Sequence, residues 1–168
     1  MEHRPVGSYK VVPILVGSLS NQRQAFYGKI FAKYIADPNN LFVISSDFCH
    51  WGNRFRYTPL ESLTHGNGRQ IHEQISALDQ RGMDAIASLD PAVFNDYLKK
   101  TQNTICGRNP IAVMLQAAEY FRQMNNHNAE FRFLKYAQSN KCRNSNDSFP
   151  FLTRPELSLL IPKIADFF

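Results

Sequence analysis

The chain has 168 residues, of which 43% are hydrophobic, 12% aromatic and 20% charged, and its formal net charge is +5. These proportions predict one folded domain with a substantial core and exclude a disordered segment, which would need more charge and fewer aromatic residues. The basic residues are scattered, and Lys99-Lys100 is the only adjacent pair. The charge therefore does not predict binding to nucleic acid.

The cysteines and the hydropathy pattern bear on the environment of the protein. Three widely spaced cysteines do not form a disulfide framework and favour a reducing, cytoplasmic location. Residues 1–10 are polar and predict no signal peptide. No apolar run reaches the 18 or so residues that a membrane-spanning helix needs, so no membrane span is expected.

The first part of the chain predicts a strand, a helix and a second strand. Residues 11–16 (VVPILV) and 41–44 (LFVI) are apolar runs that predict short strands, the second of them buried on both faces. Between them, apolar residues recur at helical spacing behind Ser20, a suitable N-cap. The inward face of this helix is predicted to consist of Phe26, Ile30, Phe31, Tyr34 and Ile35. Such a βαβ unit favours an α/β fold, with helices packed on the faces of a central sheet.

Three helices and a strand are predicted further along. The first helix carries an apolar stripe that Gly82 interrupts, and the second covers residues 93–100 behind an N-cap at Asp90. The third opens with Asn109 as N-cap and Pro110 in its first turn. The residues of the third helix expected to face the core are Ile111, Met114, Leu115, Ala118 and Phe121. Residues 131–136 predict a strand. The chain from Phe149 onward carries three prolines and predicts neither helix nor strand.

Chemically reactive side chains are concentrated in SSDFCHWG, residues 45–52. Asp47, Cys49 and His50 supply a carboxylate, a thiol and an imidazole directly after a predicted strand, where α/β sheets place their sites. A second interpretation is open. Asp47 could serve as a turn or cap acceptor and Cys49 as a small core residue, and the pattern does not decide between the two.

TICGRNP, residues 104–110, is a second such cluster. Cys106 lies just ahead of a predicted helix N-terminus and two residues from Arg108, and both features favour a thiolate. Cys106 is therefore a candidate metal ligand or reactive thiol, the alternative being an inert buried cysteine. Arg54 and Arg56 alternate with aromatic residues and either bind an anion or belong to an exposed loop. Cys142 lies in a polar stretch and has no predicted role.

These motifs resemble the Memo family of mediators of cell motility, which act downstream of receptor tyrosine kinases. The resemblance rests on LFVISSDFCHWGNRFRY together with VVPILVGSLS, DPAVFNDYLKKTQNTICGRNPI and FLKYAQSNKCRN. It implies a fold similar to that of class III non-haem iron extradiol dioxygenases. Residues 1–148 would form a partial copy of that fold, as in a truncated isoform or a gene prediction with misplaced ends. Residues 149–168 would form a divergent tail.

The resemblance also implies a pocket that holds iron or copper. The family pocket uses two histidines from the first half of the protein and the cysteine of the TICGR motif, which is Cys106 here. Asp47 and His50 match residues that line this pocket, so the side chains of Asp47, His50 and Cys106 are expected to lie close together. The resemblance also gives His50 a possible acid–base role. Neither family histidine falls within the matched motifs, so metal binding by this chain is expected to be weak.

Two functions follow from the resemblance. The first is a signalling protein that binds phosphotyrosine-containing receptor or adaptor peptides near the metal pocket. Its expected location is the cytoplasm, with the nucleus as a possible second location. Arg54, Arg56 and Arg108 would supply positive charge for the phosphate. The second is a metal-dependent redox enzyme, expected to be inactive in this chain because such a site needs at least three protein ligands. A fragment without a function of its own is a third reading.

Overall fold

The computed structural model describes residues 9–59, 70–125, 130–139, 141–142 and 151–160. Its elements in chain order are α1 (Asn21–Ile35), β1 (His50–Trp51), a single 3-10 turn (Asn53–Phe55), α2 (Ile71–Ala87), α3 (Pro91–Thr101), α4 (Arg108–Asn125), β2 (Glu130–Gln138) and β3 (Phe151–Leu160). The described part of the chain is therefore mixed, with four helices and little sheet. None of its helices combines the length and apolar character needed to cross a membrane.

The three strands form an antiparallel sheet in the order β1-β3-β2. The prediction that the chain after Phe149 forms no strand is wrong for residues 151–160, which provide the middle strand. Pro155 is tolerated there because β1 pairs only with Phe151 and Leu152. Beyond those two residues β3 is paired with β2 alone, so the missing N–H of proline can face the unpaired side.

Two predicted strands do not form. Neither residues 11–16 nor residues 41–44 belong to a strand, and the side chains of Leu41 and Val43 are 78% and 80% exposed. The predicted βαβ unit and central sheet are thus not seen in the described residues. An apolar run forms a buried strand only where neighbouring strands provide hydrogen bonds and cover, and the observed sheet does not extend to these runs.

Helix α1 forms where it was predicted, and the hydroxyl of Ser20 accepts a hydrogen bond from the N–H of Arg23 at 3.3 Å. Its buried face, however, agrees with the predicted one only at Ile35, which is buried as expected. The residues buried on α1 are Gln24, Gly28, Ala32 and Ile35. Phe26, Ile30 and Tyr34 of the predicted inward face are exposed, and Phe31 is partly buried.

Small residues explain this choice of face. A Cβ atom on Gly28 would lie 2.4 Å from the Cβ of Gln116 and 3.0 Å from the backbone nitrogen of Ala117, both on α4. Gly28 thus lets α1 approach the α4 backbone more closely than any larger residue would. Helix packing selected the face with the smaller side chains, although the neighbouring face is the more hydrophobic.

Helices α2, α3 and α4 contribute most of the core. The residues of α4 predicted to face inward are all buried. Asp90 caps α3 as predicted and accepts a hydrogen bond from the N–H of Ala92 at 2.7 Å. Gly82 does not interrupt α2, which continues through it. A Cβ at Gly82 would lie 2.9 Å from the hydroxyl oxygen of Tyr97, so this glycine allows α3 to pack closely.

Asn109 has a different role from the predicted N-cap. Helix α4 begins one residue earlier, at Arg108. The side-chain oxygen of Asn109 accepts a hydrogen bond from the N–H of Leu19 at 3.3 Å. It therefore fastens the segment that leads into α1 to the first turn of α4.

Candidate metal centre

The two polar clusters of the sequence lie side by side. Residues 46–50 and 104–107 run in opposite directions, and reciprocal hydrogen bonds join Asp47 to Cys106. The N–H of Cys106 donates to the carbonyl oxygen of Asp47 at 3.1 Å, and the N–H of Asp47 donates to the Cys106 Sγ at 3.1 Å. This pairing brings together groups that are about sixty residues apart in sequence.

A side-chain hydroxyl lies at each end of this pairing. At one end, the Ser46 hydroxyl accepts a hydrogen bond from the N–H of Gly107 at 2.9 Å. At the other end, the Thr104 hydroxyl accepts from the N–H of His50 at 2.7 Å and donates to the carbonyl oxygen of the same residue at 3.1 Å. Both segments are therefore held in register without a regular strand ladder.

The pairing places three potential metal ligands together. One ligand atom each from Asp47, His50 and Cys106 lies within 4.8 Å of the other two. Metal–ligand bonds of about 2.0–2.3 Å place neighbouring donors roughly 3–4 Å apart, so a small movement of the side chains suffices to enclose one cation. The predicted proximity of these three residues is confirmed, and their roles as ligands or acid–base groups stay predictions.

His50 is suited to bind a cation. Its Nε2 atom is buried and has no hydrogen-bond partner among the described residues. Its ring packs edge-on against Phe55, with the ring centroids 5.2 Å apart. Burial lowers the pKa of His50, and the Asp47 carboxylate partly offsets this shift. The neutral imidazole, which is the metal-binding form, is therefore favoured at neutral pH.

The three cysteines differ in their surroundings. Cys106 is exposed, whereas Cys49 and Cys142 are buried. Burial raises the pKa of the Cys49 thiol above its usual range, and the nearby Asp79 adds to this effect. Cys49 is therefore the small core residue of the second interpretation. The prediction for Cys142 is incomplete, because this residue leaves its polar stretch to enter the core.

The three arginines proposed as phosphate contacts flank the candidate site in sequence. Arg54 and Arg56 are exposed in the turn that follows β1. Arg108 is exposed at the first residue of α4, and its guanidinium donates to the carbonyl oxygen of Ile105 at 3.3 Å. Arg54 and Arg56 follow His50 within six residues, and Arg108 follows Cys106 by two residues. Their predicted role in binding one phosphate stays a prediction.

A buried polar network behind the site was not predicted. Its centre is Asp79 on α2, which is fully buried and accepts hydrogen bonds from the amide of Asn103 at 3.0 Å and the hydroxyl of Tyr136 at 3.1 Å. The Asn103 amide also donates to the Tyr97 hydroxyl at 2.7 Å. The signal was present in the sequence, since Asp79 lies four residues from both Ile75 and Met83 on the apolar stripe of α2.

Two tyrosines of this network have a raised pKa. Burial raises the pKa of Tyr97 to about 12, the Asn103 hydrogen bond opposes this shift, and the Asp79 carboxylate adds to it. Burial and Asp79 likewise raise the pKa of Tyr136 beyond its usual range. Both hydroxyls therefore keep their protons at physiological pH and remain hydrogen-bond donors.

Fold and site together define a mixed helical and β protein with a carboxylate, an imidazole and a thiol gathered where a short strand meets a helix N-terminus. Comparison of the sequence with known families identifies the family within this class. Residues 1–149 match the family described as Memo-like protein, and the chain belongs to that family.

Three relatives illustrate the match. The chain is 64% identical over 140 residues to Protein memo-1 homolog of Caenorhabditis elegans, covering 83% of this chain and 39% of the relative. It is 54% identical over 138 residues to Protein MEMO1 of Xenopus laevis, covering 82% and 45%. With Protein MEMO1 of Homo sapiens it shares 51% identity over 140 residues, covering 83% and 46%. The match thus spans less than half the length of each of these relatives.

Proposed function

We propose that this chain is a metal-binding member of the Memo-like family and holds one iron or copper ion through Asp47, His50 and Cys106. The convergence of these ligand atoms within 4.8 Å of one another supports the proposal most directly. The donor types suit such ions, because thiolate and imidazole bind copper and all three bind iron. A cation would also satisfy the buried Nε2 of His50. When bound, iron or copper supplies Lewis-acid and one-electron chemistry.

Binding by the chain alone is expected to be weak compared with that of a full-length relative. The resemblance assigns two further histidines to the family pocket, and they lie outside the matched motifs. Because the chain belongs to the Memo-like family, we also propose that the full-length protein has the dioxygenase-like fold with a central sheet. The site of this chain keeps one thiolate, one imidazole and one carboxylate, so water would occupy the remaining coordination positions.

Titration of the purified chain with Fe²⁺ or with Cu⁺, both under anaerobic conditions, tests this proposal. We expect binding of one ion per chain, and we expect Cys106→Ser and His50→Ala to weaken it at least about tenfold, because each removes a direct ligand. His72→Ala is the matched control, since His72 is a partly exposed residue on α2. Affinity that survives both Cys106→Ser and His50→Ala would place the ion elsewhere and contradict the proposal.

We further propose that the region beside the metal site binds phosphotyrosine peptides in signalling to cell motility. A dianionic phosphate is recognised by guanidinium groups and backbone N–H donors. The exposed arginines Arg54, Arg56 and Arg108, which follow the strand end and the helix N-terminus of the site, support this assignment.

Binding of a fluorescent phosphotyrosine peptide from a receptor tail, with the unphosphorylated peptide as reference, tests the signalling proposal. We expect Arg54→Gln with Arg108→Gln to weaken binding of the phosphopeptide at least about tenfold, because two charge-assisted hydrogen-bond donors are lost. Arg122→Gln is the control, because Arg122 lies in the last turn of α4 and pairs with Glu119. Equal binding of the two peptides would contradict the proposal.

A metal-dependent redox enzyme is the competing proposal, and the same donor set favours it. Oxygen consumption by the iron-loaded chain, compared with free iron at the same concentration, separates the two. We expect no excess over free iron. Excess consumption that Cys106→Ser abolishes would favour the enzyme.

A further inference from the structure

We propose that Thr104 is a positioning residue that fixes the backbone of His50 relative to Cys106. The effect of Thr104 on metal affinity rests on the proposed metal-binding function. Its effect on the position of His50 rests only on the geometry of the two segments. One hydroxyl holds both backbone groups of His50, accepting from the N–H at 2.7 Å and donating to the carbonyl oxygen at 3.1 Å. Thr104 therefore does with its side chain what a paired strand residue does with its backbone.

The contact between Thr104 and His50 matters because the other hydrogen bonds between the two segments lie at the opposite end of the pairing, near Asp47 and Cys106. Asp47 and Cys106 are hydrogen-bonded to each other, and the hydroxyl of Ser46 accepts a hydrogen bond from the N–H of Gly107. Gly107 is packed closely, since a Cβ there would lie 2.4 Å from the Cβ of Ser46. Asp47 is thus fixed beside the cysteine by several contacts. His50, three residues further on, pairs with Leu152 of β3, and the hydroxyl of Thr104 fixes it relative to the Cys106 segment.

Thr104 itself is anchored in the core. Its neighbour Asn103 is buried and donates hydrogen bonds to the Asp79 carboxyl group at 3.0 Å and to the Tyr97 hydroxyl at 2.7 Å. A residue that holds a ligand in place is effective only if its own position is fixed. The buried network supplies this condition and connects α2 and α3 to the site through two consecutive residues.

Two substitutions separate positioning from simple packing. Thr104→Val keeps the shape of the side chain and removes both hydrogen bonds to His50, while Thr104→Ser keeps the hydroxyl. The matched control is Ser88→Ala. The Ser88 hydroxyl also makes two backbone hydrogen bonds, donating to the carbonyl oxygen of Ala85 at 2.7 Å and accepting from the N–H of Asp90 at 3.3 Å, and these bonds involve neither the ligand residues nor the network around Asp79.

The first measurement is amide hydrogen exchange of His50 in the metal-free chain. We expect the N–H of His50 to exchange at least about tenfold faster in Thr104→Val than in the unsubstituted chain, because its acceptor is lost, and to be protected in Thr104→Ser and Ser88→Ala. Unchanged protection in a folded Thr104→Val chain would overturn the inference.

The second measurement is titration with Co²⁺ alone, followed through the thiolate-to-metal charge-transfer band. We expect about 10–100-fold weaker binding in Thr104→Val, restoration in Thr104→Ser, and no change in Ser88→Ala beyond its effect on folding. Equal losses in Thr104→Val and Ser88→Ala would reduce Thr104 to a structural role and overturn the inference. If the unsubstituted chain binds no Co²⁺ while the exchange result holds, the metal-binding proposal fails and the positioning of His50 stands.

Discussion

Replacing Asp79 with alanine is expected to lower the free energy of unfolding by about 3 kcal/mol or more. The carboxyl group is fully buried and accepts hydrogen bonds from Asn103 and Tyr136. Each buried donor that loses its acceptor costs about 1–3 kcal/mol, and a cavity adds to this loss. Because Asn103 precedes Thr104, we also expect the substitution to loosen the segment that holds His50.

Urea unfolding of the two chains measures this effect, with Asp84→Ala as the control. Asp84 belongs to the same helix but is exposed, so its substitution should change the free energy of unfolding by no more than about 0.5 kcal/mol. A loss in Asp79→Ala as small as that in Asp84→Ala would show that the network contributes little. Asp79→Asn is informative as well, since it keeps the volume but turns an amide donor towards groups that donate.

The convergence of the candidate site could be predicted because Asp47, His50 and Cys106 belong to motifs that the resemblance assigns to one pocket. The rule that places sites at strand ends does not account for it, since residues 41–44 form no strand. The helical stripe of α4 was predicted from its local pattern, since a period of 3.6 residues identifies its inward face without reference to any partner.

The predictions that failed depended on partners at a distance. Residues 41–44 are apolar enough for a buried strand, but a strand also needs neighbours to pair with, and these are not encoded in the run itself. The α1 face was misassigned because hydrophobicity alone does not reveal that Gly28 permits close contact with α4. Strand β3 was missed because proline is unfavourable only where a ladder bond is required.

The exposed face of α1 is expected to make the chain associate. Phe26, Ile30 and Tyr34 are spaced four residues apart, so they form one stripe along the helix, and they are 61%, 40% and 55% exposed. An apolar stripe of this kind favours contact with other apolar surfaces. More than half of each relative described above lies outside the match.

Sedimentation equilibrium over a range of concentrations, together with binding of a hydrophobic dye, tests this expectation. We expect the unsubstituted chain to associate and to bind the dye, and the triple substitution Phe26→Gln, Ile30→Gln and Tyr34→Gln to reduce both. These side chains are exposed, so each change should alter the free energy of unfolding by no more than about 0.5 kcal/mol. Met124→Gln is the control, because Met124 is 65% exposed near the end of α4 and does not belong to the stripe. A monomer that binds no dye and unfolds in one cooperative thermal transition would contradict the prediction, because it would show that the α1 stripe does not drive association.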